Sequence, residues 1–369
     1  MPKLKLDELR AEINQIDYEV LHLAKKRLST VKKIGQLKNA SGSSIRDFSR
    51  EKQCTDFSIR AAQELQISAQ FAKQILHLFM QESLMAQEKD RLAGNSTQNT
   101  KKALILGGAG KMGLWFAKFL SSQGFYTEIH DPQKCDLNFT NIYPHNLSAL
   151  SHDIIVVATP LSMTSQILIE LAKDPPRGLV FDISSLKDPI RPGLDALLKT
   201  GAKVTSVHPM FGPNTELLAD RHVIIVDLGH QEANEEASNL FTATMVKINQ
   251  MNIDEHDRLM AYLLGLSHAL NIAFFSVLAQ SGETAHKLMN LSSSTFDAQL
   301  KVARHVAEEN PQLYFEIQAL NPYGDKSLQQ LSSVLENMRQ LIHAKNQKSF
   351  TDLMQNGYDY LTLQQDKRI

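Results

Sequence analysis

Three glycines, one histidine and a group of cations near the N-terminus carry the chemistry that this sequence can do. Gly108, Gly110 and Gly113 stand as GxGxxG within GGAGKMG, a loop that also holds Lys111 and Met112. The loop follows the apolar run Ala103 to Leu106 and opens a helical stretch, Leu114 to Leu120. Such spacing gives a tight turn, a close backbone approach to a pyrophosphate and a helix N-terminus whose free N–H groups suit an anion. Asp131 ends the next apolar run, Thr127 to His130, where a carboxylate binds ribose hydroxyls and repels a 2′-phosphate. NAD is therefore expected over NADP.

A second candidate is His208 in VHPMFGP, a segment expected to follow a strand. A neutral imidazole near neutral pH can take a proton from a hydroxyl as hydride leaves the same carbon, which is dehydrogenase chemistry. The flanking prolines also suit a rigid turn with no chemistry. Ahead of the glycine loop, Arg27 and Lys38 lie eleven residues apart, three helical turns, and so share a face. Asp47, Arg50 and Glu51 fall within one turn, and Ser83 and Gln87 are four apart. These groups could converge on a small dianion, or form an ordinary solvated face.

The elements that must position these residues follow from apolar periodicity. Leu9, Ile13, Ile16, Val20, Leu23, Leu28, Val31, Ile34 and Leu37 recur at helical spacing over residues 7–38, one helix of about 45 Å. Gly42 breaks it, a second helix begins near Asp47, and a third spans about Ala69 to Arg91. Helices so unequal bury little alone, so a dimer sharing the long helix is expected. Polar GNSTQNT marks a linker, and residues 1–93, 94–101, 102–251 and 252–369 are read as helical domain, linker, nucleotide-binding domain and helical C-terminal domain. In the third region Ile154 to Ala158, Leu179 to Ile183, Val204 to Val207 and Val223 to Val226 continue an alternation of strand and helix, implying a mostly parallel, doubly wound sheet. Beyond about Asn252 only helix signals remain.

Composition narrows the function classes. The 369 residues carry 39 Lys plus Arg against 40 Asp plus Glu, a net charge of -1 that gives no general reason to expect nucleic acid or anionic lipid. Two cysteines, Cys54 and Cys135, sit far apart without metal-ligand spacing, which fits a reducing cytoplasm and no metal site. The N-terminus lacks the apolar core of a signal peptide. Leu259 to Gly282 contains no Asp, Glu, Lys or Arg, yet Ser267, His268 and Asn271 in its middle argue for a helix buried within protein rather than in a bilayer. His268 and Asn271 share a face that should meet something polar.

HPMFGP, together with SSLKDP (Ser184 to Pro189), the glycine loop and RHVAEENPQLY (Arg304 to Tyr314), resembles the prephenate dehydrogenase family. The resemblance implies that His208 hydrogen-bonds the ring 4-hydroxyl of prephenate and that Arg304 grips a substrate carboxylate, with Ser185 and His268 at substrate-site positions. LRAEINQID, AKKRLSTVKKIGQLK, IRDFSREK and ESLMAQ resemble, in the same order, the helical chorismate mutase family over nearly all of residues 6–92. That second resemblance makes Arg10, Arg27 and Arg50 carboxylate ligands, Arg10 being supplied by a partner subunit. It gives Lys38 and Gln87 the ether oxygen and Glu51 the ring hydroxyl, while Asp47 and Ser83 complete the pocket. The whole chain is similar to the bifunctional chorismate mutase/prephenate dehydrogenases, which implies chorismate and prephenate as substrates, NAD as cofactor, a homodimer through the C-terminal helices, and tyrosine as feedback inhibitor. An arogenate-preferring dehydrogenase, or a helical domain kept only for dimerisation or regulation, are the alternatives.

Overall fold

The computed structural model describes residues 2–40, 48–91, 101–133, 139–142, 147, 150–216, 218, 221–242, 244 and 246–362. Asp47 lies outside them, as do residues 94–100 of the expected linker and the side chains of Lys38, Glu51 and Gln87.

Helix α1 (Pro2–Ala40) meets proline only at its first position, where a missing N–H costs nothing. Helix α2 (Phe48–Glu64) stops where Gln66 takes a φ of 56° and the Ile67 N–H returns to the Ala62 carbonyl at 3.0 Å, a Schellman-type closure. Helix α3 (Ala69–Arg91) packs against both. Few side chains are buried, chiefly Ala62, Ala72 and Met80 with Ser58 and Ser83. Leu9, Ile13, Ile16, Val20 and Leu23 remain exposed along α1, their spacing alternating between four and three as in a coiled-coil seam.

The nucleotide-binding region begins with β1 (Lys102–Leu106) and α4 (Lys111–Ser122), followed by β2 (Tyr126–His130), β3 (Thr140–Asn141), β4 (Ile154–Val157) and α5 (Leu161–Leu171). It continues through β5 (Leu179–Asp182), α6 (Arg191–Leu198), β6 (Val204–Pro209), β7 (His222–Val226), α7 (Gln231–Thr242) and β8 (Lys247–Met251). One eight-stranded sheet results, in the order β3-β2-β1-β4-β5-β6-β7-β8. Every pairing is parallel except β6 with β7. The order reverses between β1 and β4, the switch point where doubly wound sheets bind ligands beyond their strand C-termini. Strands β1, β4 and β5 are continuous apolar runs because helices cover both faces. Strands β3 and β8 were not expected: β3 is two residues long, and β8 is KINQM, an exposed edge strand whose polar pattern carries no core signal.

By contacts, Ser185–Pro189 and Asp254–Ile369 form a compact unit separate from the rest of the chain. In it a single rod runs from α8 (Ile253–Met260) through a π-helical turn (Ala261–Leu266) into α9 (Ser267–Gln280). Then come α10 (Ala285–Asn290), α11 (Ser294–Ala307), α12 (Pro311–Ala319), α13 (Gly324–His343) and α14 (Gln347–Thr362). The Asn-Pro pair that opens α12 is a cap and first-position signature, Asn310 Oδ1 accepting from the Gln312 N–H at 3.0 Å. The π-turn frees the Gly265 carbonyl, which accepts from Gln318 Nε2 at 2.8 Å. The charge-free rod departs from the expectation of burial: only 17% of its most apolar window is buried, and Leu263, Leu270 and Val277 are open.

Candidate functional site

The glycine loop forms because a side chain would not fit. Gly107 turns with a φ of +81°, and a Cβ on Gly113 would lie 2.1 Å from the Gly107 carbonyl oxygen, so helix and loop meet without side chains between them. Gly110 caps α4 without a side chain, leaving the N–H groups of the first turn, at Lys111 and Met112, to an external acceptor. Asp131, 8% exposed, closes over this loop: Oδ2 accepts from the Ala109 N–H at 3.0 Å and Oδ1 from the Gln133 N–H at 2.8 Å. A helix N-terminus for a pyrophosphate and an adjoining fixed carboxylate for a ribose fit a dinucleotide.

His208 does not follow the strand but lies within it, opposite Ile224, and is 4% exposed. Strand β6 extends past the expected Val207 because β7 returns antiparallel beside it, pairing through Pro209 with Val223. This fixes the histidine backbone more firmly than a loop would. The following segment is tied to α4: Trp115 Nε1 donates to the Thr215 carbonyl at 2.7 Å, and the Trp115 and Phe211 rings lie 5.0 Å apart.

In the C-terminal unit, half-buried Ser185 sits on a loop held by Asp257 of α8. The Asp257 carboxylate accepts from the Lys187 N–H at 3.0 Å, the Asp188 N–H at 2.8 Å and His256 Nδ1 at 2.6 Å. Burial alone would raise this carboxyl, but those hydrogen bonds outweigh it and hold the group below the usual carboxylate range. The His268 ring lies against that of Tyr314, tilted by 41° at 4.2 Å between centroids, and burial pushes its pKa down to about 4, so the ring is neutral at pH 7. Its Nδ1 is buried without a hydrogen-bond partner among the described residues. Asn271 meets the expected polar surroundings, donating to the Ser267 carbonyl at 2.8 Å and accepting from Gln299 at 2.9 Å. Arg304 is exposed on α11 and forms no ion pair with Glu308 or any other described residue. Sequence reasoning missed Asp257, one of three acids on α8, and Trp115, a ring in an apolar run.

In the helical module Arg27 and Ser83 come together: Nη1 donates to Ser83 Oγ at 2.6 Å and to the Phe79 carbonyl at 2.7 Å, and the guanidinium lies 5.5 Å from the Phe79 ring centre. Burial lowers the Arg27 pKa, Cys54 opposes this, and the like charge of Arg50 lowers it further. The two guanidinium groups thus lie close enough to feel each other's charge. Arg50 also donates to Gln53, whereas Arg10 is exposed near the far end of α1 and, among the described residues, pairs with Asp7. Among the described residues predicted for this site, Arg10 stands apart from the Arg27–Ser83 pair.

Three family models match in sequence: chorismate mutase type II over residues 9–88, the prephenate dehydrogenase nucleotide-binding domain over 127–250, and the prephenate dehydrogenase dimerization domain over 252–356. The chain belongs to the bifunctional chorismate mutase/prephenate dehydrogenase family. Relatives include the T-protein of Enterobacter agglomerans, 26% identical over 85% of this chain and 81% of its own, and that of Haemophilus influenzae, 28% identical over 85% and 80%. In fold it resembles the A. aeolicus prephenate dehydrogenase solved with hydroxyphenyl propionate and NAD+, with a TM-score of 0.58 at 18% identity over 71% of this chain and 98% of that one. Synechocystis arogenate dehydrogenase gives 0.54 at 21% identity, over 73% and 100%. As a chorismate mutase/prephenate dehydrogenase, the chain catalyses consecutive steps of tyrosine biosynthesis, with NAD as the cofactor of the second. The nucleotide-binding match begins at residue 127, beyond the glycine loop.

Proposed function

We propose that the helical module rearranges chorismate with Arg27, Arg50 and a partner subunit's copy of Arg10 on the carboxylates. Lys38 and Gln87 then hold the ether oxygen, Glu51 the ring hydroxyl, and Asp47 and Ser83 complete the wall. A pericyclic step needs no nucleophile or base; cations select the compact conformer and meet the charge that develops on oxygen. The Arg27–Ser83 hydrogen bond supports this reading, since it holds a partly buried guanidinium in place before any ligand arrives.

In the dehydrogenase, Gly108, Gly110, Lys111, Met112 and Gly113 take the pyrophosphate and Asp131 the ribose. Bound NAD supplies the hydride acceptor. His208 accepts the proton of the ring hydroxyl as C4 is oxidised, and the ring carboxylate departs as carbon dioxide, leaving an aromatic ring. Arg304 binds a substrate carboxylate through its planar fork, with Ser185 and neutral His268 beside it. The observation that carries the reading is the Asp131 carboxylate bonded onto the glycine loop at the sheet's switch point.

The open apolar seams of α1 and α9 support a homodimer, and the two cysteines without a disulfide framework support a cytoplasmic setting. Tyrosine is the expected feedback ligand because it shares the product's hydroxyphenyl ring. The test is a crossed pair of variants assayed for both reactions. Arg27→Ala should abolish chorismate turnover and spare prephenate oxidation, and His208→Asn should do the reverse. Unchanged chorismate turnover in Arg27→Ala would remove the mutase assignment.

A further inference from the structure

The chain contains a single tryptophan, and it stands two residues past the last glycine of the cofactor loop. Trp115 is 8% exposed and its ring touches Phe116, Phe119 and Phe211 at centroid distances of 5.1, 5.0 and 5.0 Å. A phenylalanine or leucine could fill that apolar space. What only an indole adds there is its N–H, a donor that must find a partner once buried. Its partner is the Thr215 carbonyl, one hundred residues away in sequence, at 2.7 Å.

The loop that Trp115 grips is the continuation of HPMFGP. Between Pro209, where β6 ends, and Thr215, the contacts that hold the loop include its own turn, Thr215 N–H to Gly212 carbonyl at 3.1 Å, Met210 N–H on the His222 carbonyl at 2.9 Å, and Trp115. Of these, Trp115 alone comes from the helix whose N-terminus takes the pyrophosphate. We propose that Trp115 is a positioning residue for prephenate oxidation: its N–H and ring fasten the segment after His208 to the cofactor helix, so that the two halves of the reacting pair are held in one frame. The inference rests on the reading of His208 given above. It assigns Trp115 no contact with substrate.

Because the chain has one tryptophan, supplying an analogue during expression changes this site alone. Replacing Trp115 by β-(3-benzothienyl)alanine keeps the ring shape and exchanges the N–H for sulfur, whereas 4-fluorotryptophan keeps the N–H. The benzothienyl enzyme, and Trp115→Phe as a second variant, should lose roughly tenfold in kcat/KM for prephenate, the scale of one buried hydrogen bond, and 4-fluorotryptophan should restore it. The NAD dissociation constant by calorimetry, and chorismate turnover, should stay within about twofold of the parent. An unchanged kcat/KM would overturn the proposal, and so would a parallel loss of NAD affinity, which would make Trp115 ordinary packing of α4. His208→Asn, measured alongside, separates the two failures: if it retains dehydrogenase activity the reading of His208 is wrong, whereas an inactive His208→Asn with silent Trp115 variants removes only the present inference.

Discussion

Asp257 provides the most demanding test of how the substrate loop is held. Its side chain is 1% exposed and receives three donors, the N–H groups of Lys187 and Asp188 and the ring of His256. Asp257→Ala would leave two buried N–H groups and an imidazole without their acceptor. Hydrogen bonds to a charged group contribute about 1.5–3 kcal/mol each, and removing one partner of a buried ionic cluster costs about 3–5 kcal/mol in total, because the carboxylate's own desolvation is relieved at the same time. Asp257→Asn keeps one acceptor oxygen, so about 2–3 kcal/mol is expected for it. At about 2–4 °C per kcal/mol, the transition of the C-terminal unit in a calorimetric melt of the whole chain should fall by roughly 10 °C for Ala and 5 °C for Asn. Since Ser185 lies two residues from Lys187, the KM for prephenate should rise about tenfold while chorismate turnover holds. The carboxyl is depressed in the folded chain, so its contribution is complete above the unfolded value near 3.9 and is lost only as the pH falls through the folded one; the deficit should therefore be flat from pH 5 to 8. An Asp257→Ala protein with an unaltered melt and KM would refute the reasoning.

Further outcomes follow from other residues. His268 is depressed from 6.5 to about 4, so the unfolded chain binds its proton first and stability should decline as pH drops from 6.5 toward 4, by about 1–2 kcal/mol after allowance for partial exposure; denaturant melts of parent and His268→Gln should converge across that range. Gly113→Ala places a Cβ 2.1 Å from the Gly107 carbonyl oxygen, and calorimetry should detect no NAD binding while the mutase survives. Ile13→Asp puts a charge in the open seam of α1; chorismate turnover should collapse although every other pocket residue of the chain is intact, and analytical ultracentrifugation will show whether the module's association changed.

Much of this arrangement was legible in the sequence where one local signal decided it. The glycine spacing and the acid at the end of β2 announced the tight strand-to-helix turn and its carboxylate contact, because side chains at Gly108 and Gly113 would collide with their neighbours. Positions that depend on remote pairing were not legible. His208 belongs to β6 rather than to a loop because β7 comes back beside it, a pairing that HPMFGP does not announce. Strand β8 is polar because it is an exposed edge, so apolar patterning passed over it. The charge-free rod signalled burial through composition alone, yet most of its apolar window is exposed among the described residues. Asp257 and Trp115 each act on a segment about seventy or a hundred residues away, and neither is marked by its own neighbours.

The π-turn at Ala261–Leu266 has a bearing on how relatives of this chain are compared. An α-helix advances about 100° per residue, so the wider turn shifts the phase of all that follows it on the rod by the equivalent of about one residue. A relative without the turn would present the same face with one residue fewer. Aligning two such chains without a gap between 261 and 266 would set His268 against a neighbour on a different side of the helix, and a conserved side chain would be scored as lost.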